Sequence, residues 1–208
     1  MKTTFTTTLS LSLVAAFTLS AQRPGDEKQE FAVTVGELSG SNPGATAGTL
    51  ALGNGIAFQA NFARKTRDWS WGSLYWEVNG LYNPLRYLSG TPTAATHKIW
   101  SLYATPGVKL QLAPHEWLSP YIVAGGGYAL YGESKSSIGG GVAGVSGHTN
   151  RAAVEIGGGF DFKVGKSYLL RADARGFYTG GPNFGVDTPG GQFNFVISGG
   201  VVWRLPKS

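Results

Sequence analysis

The segment Phe160-Asp161-Phe162-Lys163-Val164-Gly165-Lys166-Ser167-Tyr168-Leu169-Leu170-Arg171-Ala172-Asp173-Ala174-Arg175 decides how the chain is read. Two alternating stretches flank the turn Val164-Gly165-Lys166. After the turn, Arg171, Asp173 and Arg175 point one way, while Leu170, Ala172 and Ala174 point the other. Before it, Asp161 and Lys163 oppose Phe160 and Phe162. A period of two belongs to β-strands and not to helices. Each strand therefore has one charged face and one apolar face, and a one-residue slip would exchange them.

The same pattern extends in both directions. Eight alternating runs cover about residues 30–38, 51–65, 69–84, 98–113, 120–132, 151–163, 167–178 and 193–205. Three connections are short (66–68, 114–119, 164–166) and four are long (39–50, 85–97, 133–150, 179–192), in strict alternation. In an up-and-down barrel this order puts every short turn on one rim and every long loop on the other. The expected fold is all-β, an eight-stranded antiparallel up-and-down transmembrane β-barrel with short periplasmic turns and longer extracellular loops. A soluble lipocalin-like barrel also has eight strands, but it needs no such segregation and turns its polar face outward.

In the membrane reading the apolar faces point to lipid and the charges inward. Shifting residues 167–178 by one would carry two arginines and an aspartate into hydrocarbon, at about 5 kcal/mol or more. Large aromatics fall near the run ends, as membrane-interface girdles require. Trp69, Trp71, Trp117, Tyr121, Tyr168 and Trp203 are expected at the short-turn rim, and Tyr82, Tyr87, Trp100, Tyr131, Tyr178 and Phe193 at the long-loop rim. Trp76, near mid-strand, fits neither girdle.

Eight strands enclose a lumen just wide enough for side chains to fill. The inward faces carry Glu77, Glu155, Asp161 and Asp173 against Lys109, Lys163, Arg171, Arg175 and Arg204. Buried charges are tolerated only when paired and hydrogen-bonded, so an ionic network plugging the lumen is expected. A turn near residue 165 sets Asp161 opposite or diagonal to Arg171 and brings Glu155 near Arg175. Glu30 and Arg204 are expected inside at the short-turn rim, where the first run closes on the last. The alternative is a selective pore lined by these charges.

The glycine triplets 125–127 and 157–159 are read as curvature and as room for bulky lumen side chains. Residues 1–21 read as a secretory signal peptide: Met1-Lys2 is followed by an apolar stretch at 9–19 and small residues at the cleavage position. Residues 22–29 form a short periplasmic tail, and 30–205 the barrel domain.

The chain has 208 residues, no cysteine, 14% charged residues and a net charge of +5. Zero cysteine excludes disulfide scaffolds, thiolate zinc sites and cysteine nucleophiles. No basic cluster suggests nucleic-acid binding. Gly139, Gly141 and Gly144 match G-x-G-x-x-G, but no helical pattern follows, so a phosphate loop is not implied. Of the three histidines, His97 and His148 are expected at the extracellular rim and His115 in a periplasmic turn. Ser137 or Ser146 beside His148 is the only conceivable nucleophile–base pair; mobile loop residues are the simpler reading. No catalytic residue, metal site or cofactor is expected.

These features resemble the OmpA/OmpX-type eight-stranded outer-membrane barrels of Gram-negative bacteria. The resemblance rests on Pro120-Tyr121-Ile122-Val123-Ala124-Gly125-Gly126-Gly127-Tyr128, on residues 157–163, on Leu170-Arg171-Ala172-Asp173-Ala174-Arg175, and on the aromatic run at 193–205. It implies the cell outer membrane, with its lipids and lipopolysaccharide and the barrel-assembly machinery as partners. Two features depart from the pattern. Trp203 is followed by five further residues instead of ending the chain on an aromatic, and no peptidoglycan-binding domain follows. The His-x-Ser-Asn run of the lipid A deacylase barrels is absent. The expected role is structural or interactive and not enzymatic: surface loops serving envelope integrity or adhesion, their ligand unspecified. A small-solute or ion channel and a lipid-modifying enzyme are the alternatives.

Overall fold

The alternating residues form strands because each strand can sort its side chains between two environments on opposite sides of one sheet. The computed structural model describes residues 28–41, 51–89, 97–134, 148–180 and 191–205. They form β1 (Gln29–Ser41), β2 (Gly55–Asp68), β3 (Gly72–Ser89), β4 (His97–Leu112), β5 (Leu118–Ser134), β6 (His148–Lys163), β7 (Tyr168–Gly180) and β8 (Gly191–Leu205). Every strand pairs antiparallel with its sequence neighbours, and β1 pairs with β8 from Gln29↔Leu205 to Ser41↔Phe193. The sheet is thus a closed eight-stranded all-antiparallel barrel, and closure leaves no strand edge unpaired. The strands hold 13 to 18 residues, more than the roughly 9–11 that a tilted strand needs to cross a bilayer.

The short turns 69–71, 113–117 and 164–167 all lie on one rim, and the longer connections leave the other. Residues 1–21, read as a signal peptide, and Gly139, Gly141, Gly144, Ser137 and Ser146 lie outside the described residues, as does the side chain of Tyr87. Strand ends shift by up to about three residues from the sequence reading, which moves the first short turn from 66–68 to 69–71, and two runs differ in kind. The second run is divided: Ala51–Leu52 pairs with Ser89 and Leu88, and β2 begins only at Gly55. The third run continues past Pro84 to Ser89, carried by a bulge between Asn83 and Arg86. Proline has no N–H for the ladder, so a bulge is where a strand accommodates it.

The hydrophobic surface is inverted relative to a water-soluble domain. Val35, Ile56, Phe58, Trp76, Ile122, Val154, Ile156, Leu170 and Ile197 are exposed on the outer wall. The inner wall holds Lys109 and Arg175 at 0% exposure. Contiguous apolar surface of this extent, wrapped around a charged interior, is what a barrel needs when its outer solvent is hydrocarbon. Among the described residues no helix is long and apolar enough to cross a membrane.

Candidate functional site: the layered lumen

Inward side chains stack in four levels. At the short-turn end, Arg171 grips Asp161 with two bonds, Nε to Oδ1 at 2.7 Å and Nη2 to Oδ2 at 2.8 Å. The two residues face each other directly across β6 and β7. Gln111 donates to the same carboxylate at 3.2 Å. Glu30 accepts from Lys109 and, at 3.2 Å, from Arg204 Nε, its cross-strand partner; Arg171 Nη2 stands 3.8 Å away. Tyr75 and Tyr121 line this level. Lys109 Nζ lies 4.4 Å from the Tyr75 ring centroid, and the Arg171 guanidinium 4.6 Å from that of Tyr121. Both are cation–π distances.

One level up, Arg175 is surrounded by three carboxylates. Nε donates to Asp173 at 2.7 Å, and Nη1 to Glu77 at 2.8 Å and to Glu155 at 2.5 Å. Asn61, with its amide oxygen turned toward the guanidinium, lies 3.0 Å from Nη2. Asn79 donates to Glu155 at 3.2 Å, and the Thr105 hydroxyl donates to its other oxygen. Beside them Gln59 donates to Ser198 at 2.7 Å and to Thr34 at 3.2 Å. Inward glycines make room: a Cβ on Gly157 would fall 2.8 Å from Arg175 Cγ, and one on Gly159 2.7 Å from Tyr121 Oη.

The third level is apolar, built by Leu38, Ala57, Leu81, Tyr103, Ala129, Ala153, Phe177 and Val196 with Tyr131. Tyr103 and Phe177 pack at 5.0 Å between ring centroids. The hydroxyls of Tyr103 and Tyr131 are 3.0 Å apart, and Tyr131 reaches Thr179 at 2.9 Å. A fourth, polar level at the long-loop end holds Asn83, Arg86, Ser101, Gln192 and Asn194, all buried.

The structure brings together Glu30, Glu77, Lys109, Glu155, Asp161, Arg171, Asp173, Arg175 and Arg204. Lys163 is a correction: it is exposed and joins no ion pair among the described residues. It ends β6, so its inward parity points into the open mouth of the barrel and not into the lumen. Tyr121 and Tyr131 are also corrections. At 2% and 0% exposure they stand inside the lumen and not on the outer girdle. Cross-strand register could have found the first, because Tyr121 pairs with the inward Gln111. The sequence reading misses Arg86 because it ends the third run at Pro84 and takes residues 85–97 as a loop, whereas the strand continues past a bulge to Ser89.

The remaining expected girdle residues lie near the rims. Trp71, Trp117 and Tyr168 are exposed at the short-turn end, where Trp69 stacks on Trp71 at 5.4 Å and Trp203 on Phe31 at 6.1 Å. Tyr82 and Tyr178 are exposed toward the long-loop end, where Trp100 meets His148 edge-on at 5.8 Å. Among the described residues no group of His, Asp or Glu could hold a metal ion.

An all-antiparallel eight-stranded barrel with a charged lumen and an apolar outer wall has the fold of the outer-membrane barrels. Two solved structures share it. Neisserial surface protein A superposes with a TM-score of 0.59 at 13% identity, over 85% of this chain and 97% of that one. The outer membrane protein OprG from Pseudomonas aeruginosa superposes with a TM-score of 0.56 at 13% identity, over 89% of this chain and 100% of that one. No protein-family model matches the sequence, and no curated protein matches it.

Proposed function

We propose that the chain is an outer-membrane barrel protein with a structural or interaction role, exported by its N-terminal segment and closed in its lumen. The short turns would face the periplasm. The four longer connections would face outward, where they carry envelope or adhesive contacts among lipid and lipopolysaccharide. The barrel-assembly machinery would insert it. No catalysis is part of this reading. The observation that carries it is the two-level ionic plug. Glu30, Glu77, Glu155, Asp161 and Asp173 are each engaged by Lys109, Arg171, Arg175 or Arg204, and all of these groups are buried except the partly exposed Arg204. Carboxylates engaged in this way are held as structural partners, not poised as acids or bases.

Reconstitution into planar bilayers tests it. With the lumen filled at successive levels, the purified protein is expected to give no steady conductance above the bare membrane. Steady single-channel conductance, altered by Arg175→Gln, would replace this reading with that of an ion or small-solute channel.

A further inference from the structure

We propose that the long-loop end of the lumen is a binding site for a small oxyanion, centred on Arg86. The lumen cations differ in their partners. Lys109, Arg171, Arg175 and Arg204 each have a carboxylate within salt-bridge reach. Among the described residues Arg86 has none, although it is 0% exposed. A buried guanidinium without a counter-charge is costly, and an anion is the direct way to relieve that cost.

The side chain is also held in position. Nε donates to the Gly53 carbonyl at 2.9 Å and Nη1 to Asn194 Oδ1 at 2.7 Å. Gln192 donates to the same Asn194 oxygen at 3.0 Å, which fixes the orientation of that amide and turns its nitrogen toward the Tyr131 hydroxyl. Arg86 Nη2 is buried and, among the described residues, has no hydrogen-bond partner. One cationic donor is thus left open beside the Asn194 amide. The Ser101 hydroxyl, beside Tyr103 on the neighbouring strand, and the open acceptors Asn83 Oδ1 and Gln192 Oε1 share this level. The set is polar and carries a net positive charge, and its open guanidinium nitrogen suits an oxygen anion such as a carboxylate or a phosphate. The apolar level and the ionic plug lie beneath it, so the site is closed toward the short-turn end.

The test uses the full-length protein in detergent micelles, titrated by calorimetry with inorganic phosphate and, separately, with acetate, at ionic strength held constant with chloride. The wild type is expected to bind at least one of the two, and the one that binds assigns the class. Arg86→Gln is expected to weaken that binding at least about ten-fold, as loss of a charge-assisted contact does. Asn194→Asp is expected to do the same by a different route, because it gives Arg86 an internal carboxylate in place of the ligand. Folding of both variants is checked by heat-dependent gel mobility. If Arg86→Gln fails to fold, Asn194→Asp carries the comparison alone. Absence of binding to the wild type, or equal binding by wild type and variants, overturns the proposal.

Discussion

Arg175→Met is expected to cost the barrel about 3–5 kcal/mol, the largest loss of any lumen substitution. Removing one partner of a buried ion pair leaves an uncompensated buried charge, and that cost exceeds the pair's net contribution. Here one guanidinium serves Asp173, Glu77 and Glu155 together, and all four residues are buried. The measurement is urea unfolding in lipid vesicles, followed by the fluorescence of the six tryptophans. The variant that also carries Glu77→Gln, Glu155→Gln and Asp173→Asn is expected to recover most of the loss, because it removes the stranded charges along with their partner. If the single variant costs no more than a surface change, the cluster is not a structural plug.

The second large effect lies on the opposite face. Ile156 sits at mid-strand in β6, 66% exposed on the outer wall. In water, replacing an exposed isoleucine with arginine changes stability by no more than about 0.5 kcal/mol. At the midplane of a bilayer the same change costs about 2–4 kcal/mol. Ile156→Arg is therefore expected to lower stability in vesicles by about 2–4 kcal/mol. Near the short-turn rim, where headgroups take over, Leu112→Arg should cost only about 0–1 kcal/mol. Equal and small effects at both positions would mean that the outer wall faces water.

The barrel is legible in the sequence wherever a strand carries charges on alternate residues. In β6 and β7 the charges mark the inner face unambiguously, and the short turn narrows the register to Asp161 opposite or diagonal to Arg171, of which the structure has the first. The strand β5 was harder. Its inner face holds Tyr121, Val123, Gly125, Gly127, Ala129 and Tyr131, none of them charged. Tyrosine suits either a membrane interface or a hydrogen-bonded interior, so composition alone could not orient it. The room that the β6 glycines leave for lumen side chains is taken by Arg175 and Tyr121. Arg86 shows a different obstacle. Pro84 reads as the end of a strand, and the bulge that lets the strand continue past it, with its alternation shifted by one, is a feature that the pattern does not encode. Lys163 had the right parity but stood at a strand end, where facing inward no longer means being buried.

The central claim is that the outer wall meets hydrocarbon while ionised groups fill the middle. The chain has no cysteine, so a single spin label can be placed at Ile197→Cys, halfway along β8 on the outer face. In vesicles, collisions of that label with oxygen, which concentrates in lipid, are expected to far exceed collisions with a water-soluble nickel chelate. A label that meets the chelate more readily than oxygen would contradict the account.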